Sequence, residues 1–331
     1  MLLLVGAGAV GTILAGHLAQ AGRETLKLYT RDKDLASFNS LRELHIDYAQ
    51  RGHAPLALPR PELATSLELC CVEYLLICVK FPQLAALLKQ LPAIPAGCTV
   101  VSTLNGAASL RLMRERWPQA RVIPLTVMYN GQLLGPLHAQ LTTRAEVIAG
   151  GDDCRLARLF RGSGMHARHA DGDSAVWGKL LINLANALCA LTHTTFKDLL
   201  TDPDLRMLYV EVLDEAVAVL NASGHDFQLP IAVPYRAYRQ LLLRGGKIPW
   251  WFARAKNGLE EGAYPSMVSD VEHGRVTEVE QLNGEIVQLA AAYGQRAPVN
   301  QRIVAAVKQL QTNHPPQYLT PKQLRHELLR P

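Results

Sequence analysis

No uninterrupted apolar run of about 18 residues occurs anywhere in the 331-residue chain, so no transmembrane helix is expected. The nearest approach, VWGKLLINLANALCALT over 176–192, holds a lysine that counts against insertion. The N-terminus lacks the basic region and cleavage site of a signal peptide, and glycines interrupt its apolar run. The six cysteines, Cys70, Cys71, Cys78, Cys98, Cys154 and Cys189, repeat no C-x-x-C spacing. Most of them sit in apolar segments, so reduced and buried thiols in a cytoplasmic protein are expected. The eleven histidines form no H-x-x-x-H or comparable ligand set, and no metal is expected. A net charge of +5 can draw in an anionic small molecule, but the basic residues are scattered. Without an aromatic-interleaved basic cluster, a nucleic-acid partner is not expected. Internal repeats and low-complexity segments are also missing.

What remains is an ordinary globular composition, 49% hydrophobic and 19% charged, long enough for two domains of roughly 100–200 residues. The first half alternates short apolar runs with helical patterns, as βαβ units do. Strands are expected at Met1 to Val5, Thr25 to Thr30, Glu73 to Lys80, Thr99 to Leu104 and Arg121 to Val127. A helix from about Ala9 to Ala21 should stop at Gly22, and Pro82 should open another. The stretch from Gly131 to Gly150 reads as β-rich with turns. After Gly164 the pattern turns mostly helical, with helices at 176–192 and Leu205 to Leu220. The segment IPWWFARAKNGLEEGAYPSM reads as a connector, and Thr277 with Glu280 resembles a capping box opening a last amphipathic helix. The fold class is therefore α/β in a Rossmann-type domain, 1–167, followed by an all-α domain, 168–331.

VGAGAVG places Gly6, Gly8 and Gly11 in a G-x-G-x-x-G pattern between a strand and an amphipathic helix, the context that this fingerprint requires. The backbone of Gly6, Ala7, Gly8, Ala9, Val10 and Gly11 would then face a pyrophosphate at the helix N-terminus. The second strand ends Tyr29-Thr30-Arg31-Asp32-Lys33. Arg31 offers a guanidinium fork for a 2′-phosphate and Lys33 can add charge, which favours NADP(H); Asp32 would favour NAD if the register shifted.

The apolar stretch at 176–192 raises its own question, because it keeps Lys179, Asn183 and Asn186. On a helix these fall at i, i+4 and i+7, within about 60° of one another. A snorkelling lysine or amides that cross-link helices are the structural readings; three polar groups gathered on one face of an oily helix favour a site.

At this point the chain resembles the ketopantoate reductase (2-dehydropantoate 2-reductase) family, through VGAGAVG, LNGAAS, VWGKLLIN, SMVSDVEHGRVTEVEQLNG and RAPVNQ, in order along nearly its whole length. The resemblance implies a Rossmann domain, a helical domain and an active site in the interdomain cleft, where NADPH reduces a 2-keto acid to a 2-hydroxy acid. It implies Lys179 as general acid, Asn183 and Ser266 as substrate-binding residues, and Glu278 as a glutamate near substrate and nicotinamide. It further implies Asn105 at the nicotinamide end of the cofactor pocket and Lys80 as another pocket lysine. The family usually spaces the two helix asparagines by four residues, whereas Asn186 follows Asn183 by three. TEVE and SMVSD also replace the family's TEID and SMLQD.

These residue types suit the reaction. Hydride addition to a ketone develops negative charge on oxygen, which an ammonium stabilises before giving up its proton. Partial burial would lower the pKa of Lys179 toward the working pH. Asn183 and Asn186 can orient carboxylate or hydroxyl oxygens without adding charge, and Glu278 can hold Lys179 or accept a substrate hydroxyl. The expectation is a cytoplasmic NADPH-dependent reductase of a small 2-keto acid, ketopantoate foremost, on the route to pantothenate; its oligomeric state is left open, a homodimer included. A related reductase or opine-type dehydrogenase is the alternative within the class, and a non-catalytic NADPH-sensing regulator the rival outside it.

Overall fold

The computed structural model describes residues 1–22, 24–50, 52–152, 154–231, 233–313 and 315–329; the side chains of Asp32, Lys33 and Asn257 lie outside the described residues. The chain divides into two compact units, one of residues 1–104 and 108–173, the other of 105–107 and 174–331.

Among the described residues the first unit holds twelve strands: β1 (Leu2–Val5), β2 (Leu26–Tyr29), β3 (Glu43–Tyr48), β4 (Leu56–Pro59), β5 (Glu62–Ala64), β6 (Tyr74–Ile77), β7 (Thr99–Ser102), β8 (Arg121–Val127), β9 (Gly131–Gly135), β10 (His138–Leu141), β11 (Glu146–Ala149) and β12 (His166–His169). Its helices are α1 (Ala9–Ala21), α2 (Asp32–Asn39), α3 (Phe81–Gln90), α4 (Ala108–Arg116) and the short α5 (Arg155–Arg158). An eight-stranded sheet runs in the order β12-β11-β8-β7-β6-β1-β2-β5. It is parallel from β5 to β8, and β11 runs antiparallel to β8. β1, β6 and β7 are buried along their whole length, as strands covered on both faces should be.

The glycine-led helix begins and ends where the sequence places it: Gly22 takes φ 60° and returns its N–H to Ala19 O. Yet residues 11–18 of α1 are buried on every side. The cause is a second sheet, β4-β3-β10-β9, which contacts α1 opposite the larger one. The β-rich reading of 131–150 is borne out by β9, β10 and β11, but β3, β4, β5 and β12 were not anticipated. Two expected strands are shorter than read: β6 ends at Ile77 and β7 at Ser102. The apolar residues that follow line the carboxyl edge of the sheet instead of extending its ladder.

The second unit contains α6 (Gly172–Asn183), α7 (Ala185–Thr192), α8 (Phe196–Thr201), α9 (Pro203–Ala222), α10 (Tyr235–Arg244), α11 (Ile248–Asn257), α12 (Ser266–Glu272), a 3-10 turn (Val279–Gln281), α13 (Asn283–Ala292), α14 (Pro298–Thr312) and α15 (Pro321–Leu328). α9 is the central rod, packed on α7, α8, α10, α13, α14 and α15. Its start is set by Pro203 in the first turn and by the Asp202 carboxylate, which accepts from Leu205 N. The stretch Gly172–Thr192 is long and apolar enough to cross a membrane by length and composition, but 83% of its most apolar window is buried inside the protein. It is a core helix. Leu181, Leu184 and Leu188 are fully buried there, and truncating any one to alanine should cost about 2–5 kcal/mol.

Three local expectations fail. The expected connector contains a helix, α11, whose Trp250 is buried while Trp251 is exposed. Thr277 and Glu280 form no capping box: the buried Thr277 hydroxyl donates to Gln311 Oε1 at 3.1 Å, Glu280 pairs with Lys308, and α13 starts only at Asn283, after a break at Leu282. The thiols are all free, but Cys70 and Cys71 are exposed and only Cys78, Cys98 and Cys189 are buried.

Candidate active site

In the first unit the glycine turn sits at the carboxyl end of β1, between β2 and β6, where the strand order reverses direction. Such switch points are where open α/β sheets hold ligands. Gly6 has φ 106°, and a Cβ there would come within 2.9 Å of the Cys78 carbonyl group just past β6. A Cβ on Gly11 would lie 1.9 Å from Gly6 O, so the third glycine lets helix and turn close on each other. Around Gly8 a Cβ would meet nothing within 4 Å. Two glycines are required by the protein's own contacts, and the middle one borders open space.

No side chain caps α1 and no acidic residue occupies its first turn, so the positive end of the helix is left for an anion. Tyr129 Oη donates to Val10 O at 2.9 Å, and Thr12 Oγ1 reaches Ala7 O at 3.4 Å, which holds the Ala7–Val10 backbone in place. The turn thus fits a dinucleotide pyrophosphate.

Arg31 follows β2 at the same edge, since Tyr29 is the register partner of Val5. It is exposed at the start of α2, and its Nε donates to Asp34 Oδ2 at 2.8 Å. Lys80, also exposed, directly precedes α3 beyond β6. The side chains of Asp32 and Lys33 lie outside the described residues.

In the second unit Lys179, Asn183 and Asn186 are half-buried among fully buried neighbours such as Leu180, Leu181, Leu184 and Ala187. The three therefore share one face across α6 and the start of α7. Burial lowers the Lys179 ammonium from 10.5 to about 8, and the Glu278 carboxylate pulls it partly back up. Glu278 precedes the 3-10 turn and accepts a 2.9 Å hydrogen bond from Asn105 Nδ2. Asn105 can come this close because of its neighbour. Gly106 has φ 77°, and a Cβ there would fall 2.4 Å from Gln281 O. Residues 105–107 therefore lie directly on the turn that carries Glu278.

Neither Asn183 nor Asn186 spends its side-chain amide on another described residue. Ser266 is exposed as the first residue of α12, whose cap position is held by Pro265, so its hydroxyl is not a helix cap. Behind the 3-10 turn a buried polar chain fixes the start of α13: Asn283 Nδ2 donates to Asn300 Oδ1 at 2.9 Å, and Asn300 Nδ2 donates to Glu215 Oε1 at 2.8 Å. Glu215 also accepts from the backbone N–H groups of Val299 and Asn300. Sequence reasoning gave these supporting residues no role, because an asparagine in an apolar helix does not reveal its partner. The N of QLNG and of VNQ were the available signals.

Residues 2–152 match the model of the ketopantoate reductase PanE/ApbA family, and residues 171–311 match that of its C-terminal domain. The chain belongs to the ketopantoate reductase family. Its members are NAD(P)-dependent oxidoreductases acting on CH–OH groups, and that is the reaction class of this chain. It is 25% identical to the 2-dehydropantoate 2-reductase of Aquifex aeolicus over 321 residues, 92% of this chain and 95% of that one. Its fold is that of the PanE/ApbA family ketopantoate reductase from Ralstonia eutropha, with a TM-score of 0.75 at 24% identity, covering 94% of this chain and 99% of that one. It also matches the fold of D-mandelate dehydrogenase, solved with NADH and anilino(oxo)acetate, with a TM-score of 0.76 at 18% identity over 96% of this chain and 100% of that one.

Proposed function

We propose that this family member reduces 2-dehydropantoate (ketopantoate) to pantoate with NADPH in the cytoplasm, on the route to pantothenate and coenzyme A. The observation that carries the reading is Lys179: a half-buried ammonium lowered to about 8, beside a carboxylate that is itself held by Asn105. A bound NADPH supplies the hydride. Lys179 stabilises the charge that develops on the ketone oxygen and delivers the Nζ proton to it. Glu278 keeps the amine charged at neutral pH, and Asn105 keeps Glu278 in place. Asn183, Asn186 and Ser266 offer uncommitted polar groups for the acid's carboxylate and hydroxyl oxygens. Gly6, Ala7, Gly8, Ala9, Val10 and Gly11 receive the pyrophosphate, with Asn105 toward the nicotinamide, while Arg31 and Lys80 supply positive charge for the cofactor's phosphates.

A second reading keeps the chemistry and changes the acid, and the three-residue spacing of Asn183 and Asn186 favours keeping it in view. Steady-state NADPH oxidation with a panel that includes ketopantoate and the keto acid corresponding to mandelate decides between them. Ketopantoate should lead in kcat/KM, and a ranking far below another acid would move the assignment to a related reductase. Lys179→Ala should lose about 10²–10⁴-fold in kcat while still binding NADPH. A parent protein that binds NADPH and turns over no acid in the panel would be a sensor.

A further inference from the structure

The guanidinium of Arg31, which follows β2 at the carboxyl edge of the sheet, is already engaged. Arg31 Nε donates to Asp34 Oδ2 at 2.8 Å and its Nη2 lies 2.7 Å from the same oxygen, so two of the fork's donors converge on one carboxylate. The pair is built into the start of α2: Arg31 holds the cap position, Asp34 N bonds back to Arg31 O at 2.9 Å, and Ser37 Oγ donates to Asp34 O. Arg31 and Asp34 are therefore held one helical turn apart, on the carboxyl edge where β1 and β2 end in register.

We propose that Asp34 is a specificity-determining residue that weakens the discrimination of NADPH over NADH by occupying the Arg31 fork and repelling a 2′-phosphate. The inference rests on the NADPH reading above. A 2′-phosphate and the Asp34 carboxylate compete for the same donors, and both are negative. An exposed ion pair is itself worth little, so Arg31 can exchange partners. The larger effect is repulsion between a dianion and a carboxylate that share one guanidinium. In a water-like dielectric that repulsion corresponds to roughly a tenfold loss of affinity. The ribose hydroxyl of NADH carries no charge and escapes it.

The test measures dissociation constants for NADPH and NADH, by quenching of protein fluorescence, in the parent, Asp34→Asn, Asp34→Ser and Arg31→Ala. Thermal melting confirms that each variant is folded, and the serine variant serves if the asparagine variant is not. Removing the Asp34 charge should tighten NADPH about tenfold and leave NADH within about twofold, with the gain shrinking as salt is raised. Loss of NADPH affinity in Arg31→Ala with no gain in either Asp34 variant overturns the inference and leaves the NADPH reading standing. An equal gain for NADH overturns it as well. If Arg31→Ala leaves NADPH binding unchanged, the NADPH reading of this edge fails, and the inference with it.

Discussion

Replacing Glu278 with glutamine tests the electrostatics of the site most directly. Lys179 ionises at about 8 because two opposed effects meet there: burial drives the ammonium down and the Glu278 carboxylate raises it. With Lys179 as the proposed proton donor, the charged amine is the working form in the reductive direction, so kcat should be level at low pH and fall as pH rises through about 8. Glutamine keeps an oxygen for the 2.9 Å hydrogen bond from Asn105 but removes the charge. A facing opposite charge typically moves a pKa by about 1–3 units, so the falling limb should shift down to roughly pH 6. At pH 7 the fraction of charged amine would drop from about 90% to about 10%. The variant should therefore lose about tenfold in kcat at pH 7 and recover most of it by pH 5. The measurement is a pH–kcat profile from 5 to 10 for both proteins at saturating NADPH and keto acid. A falling limb that stays near 8, or moves upward, would refute the assigned coupling. In the oxidative direction the neutral amine must accept the proton, so there kcat should rise through the same pH.

Lys179→Met should lose about 10²–10⁴-fold in kcat yet stabilise the fold by about 1–3 kcal/mol at pH 7, because it removes a cation whose folded-state pKa lies below its unfolded value. The unfolded chain binds more protons between about 8 and 10.4, so this advantage should shrink across that window and vanish above it in melts taken at stepped pH. Gly106→Ala places a side chain on φ 77° and against Gln281 O, at a cost of about 1–3 kcal/mol in thermal melts. It should also separate Asn105 from Glu278, so kcat should fall with it; a stable variant with full kcat would show that the 105–107 segment does not position Glu278. Gly11→Ala would set a Cβ 1.9 Å from Gly6 O, and NADPH affinity should drop at least about tenfold in a fluorescence titration.

Features set by neighbouring residues could be read from the chain, and those set by distant partners could not. The glycine turn, α1 and the strand β8 follow from local rules, because turn chemistry, capping and burial period are encoded in neighbouring residues. The polar face of α6 and α7 is legible for the same reason: Lys179, Asn183 and Asn186 recur at helical spacing in an apolar run. The Thr277 box misled because a hydroxyl takes whichever partner the fold brings near, and here Gln311 of α14 reaches it first. Thr195 and Thr320, which do cap their helices with Asp198 and Gln323, carry the same local signature.

The sequence alone determined that the chain has a glycine-rich strand–helix turn, a lysine on an apolar helix and two kinds of domain, since each depends on a short span of residues. Only the tertiary structure decided what stands beside that lysine, how far its charge is disfavoured, and what already occupies the Arg31 fork. Asn105 and Glu278 are 173 positions apart, and desolvation depends on every atom packed around an amine. No local pattern encodes those distances; they exist once the chain has folded.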